Sequence, residues 1–162
     1  MLPHTVYRIA ADTRAFEADD LTGKGAERDG GRWNEPGTPV VYASSSRALA
    51  CLETVVHLTG PAALPLNRYL VEISIPEALW AARETCDASA LTGWDAEPAG
   101  RTSMRYGTRW AQGGSSALLV VPSIVVPEEQ NVVINPCHPD ASRVSAKKVR
   151  KWTFDARLRG VS

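Results

Sequence analysis

Glu53 is the first residue whose type and setting suggest chemistry. The apolar residues around it recur at helical spacing and predict one buried stripe, formed by Ala48, Leu49, Leu52, Val55 and Val56. Glu53 lies at the edge of this stripe, one turn from Leu49 and one turn from His57. A carboxylate held there, half out of water, is suited to stabilise positive charge that develops on a substrate. An exposed glutamate in an ordinary ion pair is the commoner case when the residue is taken alone.

A glycine-rich loop supplies the second candidate, in the run Gly30-Gly31-Arg32-Trp33-Asn34. Two residues without side chains allow backbone N–H groups to point at an anion, and Arg32 can then hold a phosphate through two hydrogen bonds. The loop contains neither GxxxxGK[ST] nor GxGxxG, so neither of those nucleotide-binding loops is predicted. A surface turn with a stacked Arg–Trp pair explains the composition equally well.

Tyr42 and Ser123 are two further candidates. Tyr42 ends a predicted strand that leads into the helix of Glu53, at an edge where such folds often hold ligands. It offers an aromatic face and a hydroxyl group, although packing at the edge of the core is the alternative. Ser123 follows Pro122 outside a GxSxG motif, so it is not predicted to be a hydrolase nucleophile.

Metal and disulfide sites are not predicted. Cys51, Cys86 and Cys137 are odd in number, widely spaced and without a CxxC motif, which favours a cytoplasmic setting. His57 and His138 lack the spacing of metal ligands, and a structural role is expected for both.

The elements that position these residues are mostly strands. Alternation and turn signals predict strands over 5–10, 39–43, 67–75, 118–123, 131–136 and 149–154. Helices are predicted from a serine cap at 44–46 to about His57, before Gly60 and Pro61, over 76–83 with Pro76 in its first turn, and over 102–112. Residues 17–38 are predicted to be a long loop, and 84–101 to be irregular. The pattern favours an α+β fold with a mixed, partly antiparallel sheet, as a single domain over 1–162.

Charge and length exclude several classes of partner. The chain has 162 residues, with 18 Lys and Arg against 18 Asp and Glu, so a basic surface for nucleic acid is not expected. The C-terminal cations Lys147, Lys148, Arg150 and Lys151 are interpreted as the solvated face of the last strand and the turn before it. No apolar run approaches membrane-spanning length, and the N-terminal residues lack a signal-peptide pattern, so neither a membrane nor secretion is expected.

The motifs together resemble the RES domain family, which includes the toxins of RES–Xre toxin–antitoxin pairs. The resemblance rests on YRI at 7–9, GGRWN at 30–34, GTPVVYAS at 37–44, ALACLE with His57 behind it, LLVVPSIVVPEEQNVVINPCHP from 118, and a closing WTFDARL. It spans essentially the whole chain, with 61–101 the least distinctive stretch.

The resemblance implies a fold similar to the ADP-ribosyltransferase toxins of the diphtheria-toxin type, and action on NAD+. It assigns the family's Arg, Tyr, Glu and Ser to Arg32, Tyr42, Glu53 and Ser123, and the arginine of YRI to Arg8. Glu53 would stabilise the oxocarbenium-like transition state that forms when the nicotinamide–ribose bond breaks.

The other assigned residues would bind the substrate. Arg32 and Arg8 would hold the pyrophosphate or an incoming phosphate, and Tyr42 would orient the nicotinamide ring. Ser123 would hydrogen-bond the amide or the ribose. Further contacts are expected from Trp33, Asn34 and Asn135.

Three functions therefore stay open at the level of sequence. The first is a toxin that degrades NAD+ by hydrolysis or phosphorolysis, the second is a protein ADP-ribosyltransferase, and the third is a nucleotide-binding module without turnover. No cofactor is expected, because NAD+ enters as a substrate with inorganic phosphate as an alternative co-substrate. The resemblance also implies an Xre-type antitoxin that obstructs the active site within a toxin–antitoxin hetero-oligomer and makes any DNA contact itself.

Overall fold

Seven strands among the described residues form one sheet at the centre of the molecule. The structure is a computed structural model that describes residues 2–58 and 64–159. Its strands are β1 (His4–Ala11), β2 (Val41–Ser44), β3 (Arg68–Ile75), β4 (Glu84–Thr85), β5 (Leu118–Pro122), β6 (Gln130–Ile134) and β7 (Ser145–Lys151). They are arranged in the order β4-β5-β6-β2-β1-β3-β7, and every neighbouring pair is antiparallel except β4 and β5. The predicted α+β fold with a mixed, partly antiparallel sheet is confirmed.

Within the part of the chain that the structure describes, four helices accompany the sheet: α1 (Lys24–Asp29), α2 (Arg47–Val56), α3 (Glu77–Ala81) and α4 (Arg101–Gly113). Short 3-10 turns cover Ala88–Ala90, Pro139–Arg143 and Ala156–Arg159. Ser46 caps α2 as predicted, since its side chain accepts a hydrogen bond from the backbone N–H of Leu49. Gly114 ends α4 in the left-handed conformation, with φ of 66°, which a glycine adopts without strain.

Alternation along the strands divides the core into two faces. On β6, Val132 and Ile134 pack on one side of the sheet, whereas Val133 packs on the other against Trp110 of α4. A third cluster lies beneath α2 and includes Ile9 of β1.

The centre of the sheet is split between β1 and β2. Their register contains one pair, Tyr7 with Ser44, whereas β1 and β3 pair along all eight residues of β1. Arg8 crosses the split and donates a long hydrogen bond of 3.4 Å from Nη1 to the carbonyl of Tyr42. A split of this kind opens space between two strands that would otherwise be joined by backbone hydrogen bonds along their length.

Several sequence-based boundaries are wrong. The predicted loop over 17–38 contains α1, whose ends are set by Gly23 and Gly30 at φ of 74° and 73°. The last strand begins at Ser145 rather than at 149 and ends before Trp152, because its register follows β3. Pro76 precedes α3 as its cap instead of occupying its first turn.

The predicted apolar stripe of α2 is wrong at both ends. Ala48 is exposed and Val56 is 54% exposed, whereas the buried residues are Leu49, Ala50 and Cys51. The predicted stop at Gly60 and Pro61 lies outside the described residues.

Among the described residues, no helix has both the length and the apolar character needed to cross a bilayer.

Candidate active site

A cavity of about 370 Å³ occupies the split between β1 and β2. Its wall includes Arg8 from β1, Tyr42 from β2, and Glu53 with His57 from α2, while the loop that carries Arg32 closes another side. The volume lies in the range of roughly 300–1,000 Å³ that small-molecule sites occupy. Among the described residues, no three or more His, Cys, Asp or Glu side chains form a group that could hold a metal ion.

Two hydrogen bonds fix one oxygen of the Glu53 carboxylate. Oε1 accepts from the hydroxyl of Ser123 at 2.6 Å and from Nδ2 of Asn131 at 2.8 Å. Oε2 accepts no hydrogen bond within the described part of the chain, while the side chain lines the cavity. The carboxylate is therefore oriented by one oxygen and leaves the other for a ligand.

The donors behind Glu53 are themselves held in place. Ser123 is fully buried, and its Oγ accepts from the backbone N–H groups of Val125 and Val126 at 3.1 Å each. These bonds leave the hydroxyl proton for Glu53. Asn131 is oriented by Ser44, whose hydroxyl donates to Oδ1 at 2.7 Å. Ser44 and Asn131 are partners in the register of β2 and β6, so sheet pairing itself brings them together.

Tyr42 presents its ring to the cavity but uses its hydroxyl elsewhere. The hydroxyl donates to Oδ1 of Asn34 at 2.6 Å and accepts from the backbone N–H of Trp33 at 3.0 Å. Burial raises the pKa of Tyr42 well above its usual value, so the hydroxyl stays protonated. A Cβ at Gly31 would lie 2.8 Å from that hydroxyl, so the loop can approach Tyr42 this closely only with a glycine there. Tyr42 thus anchors the glycine-rich loop.

Asn34 holds the same loop in place through hydrogen bonds of its buried side chain. It is fully buried, and its Nδ2 donates to the carbonyls of Ala26, Glu35 and Thr38 at 2.8, 3.3 and 3.0 Å. With Oδ1 bound to Tyr42, both polar groups of this fully buried amide already have protein partners, so Asn34 supports the loop instead of contacting a substrate.

Arg32 lies on the cavity wall, yet its guanidinium is turned toward a neighbouring segment. Nη1 donates to the carbonyls of Trp94 and Ala96 at 2.9 and 2.7 Å, and Nη2 pairs with Glu97 at 3.0 Å. The Arg32 side chain is 13% exposed, and Trp94 also stacks on Trp33 with ring centroids 6.2 Å apart. In this conformation Arg32 fastens the 94–97 segment to the glycine-rich loop.

Arg8 is the cation that remains for an anion in the cavity. Its Nε is buried without a hydrogen-bond partner, and no carboxylate within the described residues forms an ion pair with it. Burial lowers the pKa of the guanidinium, opposed by the nearby negative charge of Asp20. A buried cation with an unsatisfied donor is costly unless an anion completes it.

His57 lies one turn beyond Glu53 at the mouth of the cavity. Its Nδ1 lies 2.6 Å from the backbone carbonyl of Glu53, and a carbonyl can only accept, so Nδ1 carries the proton. The other ring nitrogen makes no hydrogen bond within the described residues, and the ring lines the cavity.

The structure thus gathers some of the predicted site residues and separates others. Glu53, Tyr42, Arg8, Arg32 and Trp33 all line the cavity. Ser123 lies behind Glu53 and Asn34 behind Tyr42, so they support the wall. Asn135 lies away from the cavity, with its amide bound to the carbonyl of Ala111 and to the backbone N–H of Cys137.

Sequence reasoning missed the two residues that complete the support of Glu53, Asn131 and Ser44. The chain offers no local signal for them, because their role depends on the pairing of β2 with β6 across 87 residues.

The chain is similar to the proteins of one known family over most of its length. The family model of the RES domain matches residues 5–157. The chain is 60% identical over 153 residues to the Prs ADP-ribosylating toxin of Sphingobium sp. (strain YBL2), covering 94% of each chain. It is 37% identical over 155 residues to Toxin Res of Yersinia enterocolitica, covering 95% of this chain and 99% of that one. It is also 38% identical over 141 residues to Toxin Res of Pseudomonas putida, covering 86% and 92%.

Proposed function

The chain belongs to the RES domain family, and from that premise we propose that it is a toxin that takes NAD+ as a substrate. It breaks the bond between nicotinamide and ribose and passes the ADP-ribose to an acceptor, for which a protein side chain is the first candidate. The single observation that carries the proposal is the carboxylate of Glu53, whose side chain lines the cavity and is fixed through one oxygen, while the other accepts no hydrogen bond within the described residues.

The geometry suits cleavage with charge development on the ribose. When the nicotinamide leaves with the bonding electron pair, its ring becomes neutral and positive charge builds on the ribose C1′ and ring oxygen. The Oε2 side of Glu53 lies where it can stabilise that charge or accept a hydrogen bond from a ribose hydroxyl. The acceptor then forms a bond to C1′ and gives up its proton to solvent.

The rest of the cavity supports binding of the dinucleotide. Arg8 is suited to the pyrophosphate, because its buried Nε lacks a partner. The ring of Tyr42 supplies a flat apolar surface for the nicotinamide while its hydroxyl stays bound to the loop. Arg32 supports this arrangement through the 94–97 segment.

The choice of a protein acceptor follows from one of the relatives. The Sphingobium protein, 60% identical to this chain, is named a Prs ADP-ribosylating toxin. That name favours a protein as the acceptor of ADP-ribose, whereas the sequence alone put hydrolysis and phosphorolysis first. Transfer to water or to phosphate is therefore an alternative outcome of the test.

A protein partner is part of the same proposal. As a toxin of this family, the chain would be neutralised by an Xre-type antitoxin that covers the cavity in a hetero-oligomer. With 18 cations against 18 anions the chain has no basic excess of its own, so DNA contacts would belong to the partner.

The test uses purified full-length chain and NAD+ under three conditions: buffer, buffer with inorganic phosphate, and buffer with the Prs protein named for the Sphingobium relative. Products are followed by chromatography and by the mass of the acceptor protein. We expect release of nicotinamide with a gain of one ADP-ribose on Prs. ADP-ribose in plain buffer would instead show hydrolysis, and ADP-ribose-1-phosphate only with phosphate would show phosphorolysis.

Glu53→Gln is the decisive variant, because it keeps the size and removes the charge. We expect its turnover to fall at least about a hundredfold, in line with the loss of one electrostatic stabiliser of a transition state. Full activity of Glu53→Gln, or no consumption of NAD+ under any of the three conditions, would refute the proposal.

A further inference from the structure

One edge of the sheet is long and carries no further strand among the described residues. The two outermost strands are β4 and β7. β4 has two residues and offers little to a neighbour, whereas β7 has seven and pairs on one side with β3. The other side of β7 therefore presents backbone N–H and C=O groups that no strand in the described part of the chain satisfies.

The backbone at the end of β7 shows which groups point outward. The N–H of Trp152 donates to the carbonyl of Arg68 at 2.8 Å, so these two residues form a hydrogen-bonded pair. Because hydrogen-bonded and non-hydrogen-bonded pairs alternate along an antiparallel ladder, Lys151 directs its own N–H and carbonyl away from β3. That carbonyl accepts from Nη1 of Arg150 at 3.1 Å, a side-chain contact in the place where a further strand would donate.

The side chains of β7 give this edge a positive charge. Lys147, Arg150 and Lys151 form no ion pair within residues 2–58 and 64–159 and are exposed, whereas Lys148 pairs with Asp12 at 2.9 Å. The other carboxylates beside the strand are each paired with an arginine outside it: Glu72 with Arg47, Asp140 with Arg143, and Asp155 with Arg157. Three cations are thus left without a counter-charge along one strand.

These charges decide which partner fits the edge. A second copy of this chain would bring Lys147, Arg150 and Lys151 close to identical cations, and like charges on paired strands are destabilising. A strand that carries carboxylates meets the same residues with opposite charge. A nucleic acid could satisfy the charges, but it has no peptide backbone to continue the ladder. Val149 lies at the bulge in the register with β3 and is 42% exposed, so it adds an apolar contact for the partner.

We propose that the outer edge of β7 binds an extended, acidic segment of a partner protein, which joins the sheet as a further strand. The backbone of this segment replaces Arg150 at the carbonyl of Lys151, and its carboxylates face Lys147 and Lys151. Since β3 separates β7 from β1, the edge lies about 10 Å from β1 at two strand spacings, and the bound segment leaves the cavity open. Binding there requires no reaction with NAD+, so it is independent of the proposed function.

The experiment measures fluorescence anisotropy of a labelled peptide with the purified full chain at low and high salt. The peptide matches the seven residues of β7 in length and is built from Glu, Thr and Val. Three comparison probes separate the contributions: the same peptide with Gln in place of Glu, the same peptide with every backbone nitrogen methylated, and a single-stranded oligonucleotide. Hydrogen exchange of residues 145–151 locates the bound peptide.

The variants separate charge from backbone pairing at one position. Lys151→Gln removes the charge and keeps the outward N–H, whereas Lys151→Pro removes both. Lys147→Gln tests the charge at the other end of the strand. The matched control is Arg109→Gln, an exposed cation of α4 without an ion pair in the described part of the chain. Thermal melting verifies that each variant is folded.

We expect saturable binding of the acidic peptide that weakens with salt and slows hydrogen exchange in β7. Lys147→Gln and Lys151→Gln should each weaken it about two- to fivefold, the effect of one exposed ion pair. Lys151→Pro should weaken it a further fivefold or so, the effect of one lost hydrogen bond. The methylated peptide and the Gln peptide should bind at least about tenfold more weakly, and Arg109→Gln should change nothing.

Absence of saturable binding to the wild-type chain at low salt would overturn the inference. Equal binding of the methylated peptide would do so too, because it would show attraction between charges without strand pairing, and this arm needs no variant to fold. Tighter binding of the oligonucleotide than of the peptide would identify a nucleic-acid surface instead. A loss in Arg109→Gln as large as that in Lys147→Gln would show that the peptide is not held at β7.

Discussion

Asn131 donates a hydrogen bond to Glu53, and this contact predicts the relative activity of two variants. Of Asn131→Ala and Asn131→Asp, the one closer in shape to asparagine should have the lower kcat. Asn131→Ala removes the 2.8 Å hydrogen bond to Oε1 and leaves the hydroxyl of Ser44 without its acceptor. Ser123 still donates to the same oxygen, so the carboxylate stays attached at one point. A hydrogen bond to a charged group contributes about 1.5–3 kcal/mol. At about 1.4 kcal/mol per factor of ten, kcat should fall by roughly 10- to 150-fold.

Asn131→Asp is closer in shape but should be worse. It places a carboxylate where the amide donor was, and two unit charges about 2.8 Å apart repel by roughly 6 kcal/mol at an effective dielectric constant of about 20. That value is an upper limit, because the new Asp can take up a proton or turn away. The expected order of kcat is therefore wild type, then Asn131→Ala, then Asn131→Asp.

The assay is nicotinamide release at saturating and limiting NAD+, with melting temperature measured on each protein. Asn135→Ala is the matched control, because Asn135 immediately follows the last residue of β6 and its amide bonds only to the backbone, at Ala111 and Cys137. We expect it to lower the melting temperature and to spare kcat of the folded enzyme. The reasoning is refuted if Asn131→Asp matches or exceeds Asn131→Ala, or if Asn135→Ala loses as much kcat as either.

Two further predictions concern the loop and the helix that hold the cavity wall. Tyr42→Phe removes the hydroxyl that joins Asn34 to the backbone of Trp33, so we expect a loss of about 1–3 kcal/mol in unfolding free energy and a raised KM for NAD+. Denaturant unfolding with unchanged stability would contradict this anchoring role. Gly107→Ala should destabilise the protein by several kcal/mol, because its Cβ would collide with the carbonyl of Trp33. Gly113→Ala on the same helix, where a Cβ meets nothing within 4 Å, should be neutral or slightly stabilising by thermal melting.

The sequence predicted those parts of the fold that depend on local pattern. The strand of Arg8 and the serine cap of α2 are each encoded within a few residues, and each is found where expected. The register of β7 could not be read locally, since pairing with β3 decides where that strand begins. The six residues of α1 escaped detection because two glycines frame a helix that contains a third, Gly25.

The candidate site shows the same division between local and long-range information. Residue type and setting were enough to single out Glu53 and Tyr42, and the family resemblance added Arg8; all three line the cavity. Contacts across the sheet then decide which polar atoms of each side chain remain available to a substrate. Ser123 and Asn34 were expected at the substrate, yet their polar atoms are already bound to Glu53 and Tyr42. A serine or an asparagine has few hydrogen-bonding groups, and a sequence does not reveal which partners these groups bind in the folded protein.

The distribution of ion pairs gives the zero net charge a functional meaning. Arg32 is the arginine that the glycine-rich loop suggests as a phosphate ligand. Its guanidinium instead pairs with Glu97 and donates to two backbone carbonyls, so its hydrogen-bond donors hold the loop in place. Within the described residues Arg8 forms no ion pair, although the charge of Asp20 lies near it, and its Nε is buried without a hydrogen-bond partner beside the cavity. A chain with 18 cations and 18 anions has enough carboxylates to pair it. The position of Arg8 at the cavity therefore points to an anion supplied by the ligand, and a single cation of this kind suits one dinucleotide better than a polymer of phosphates.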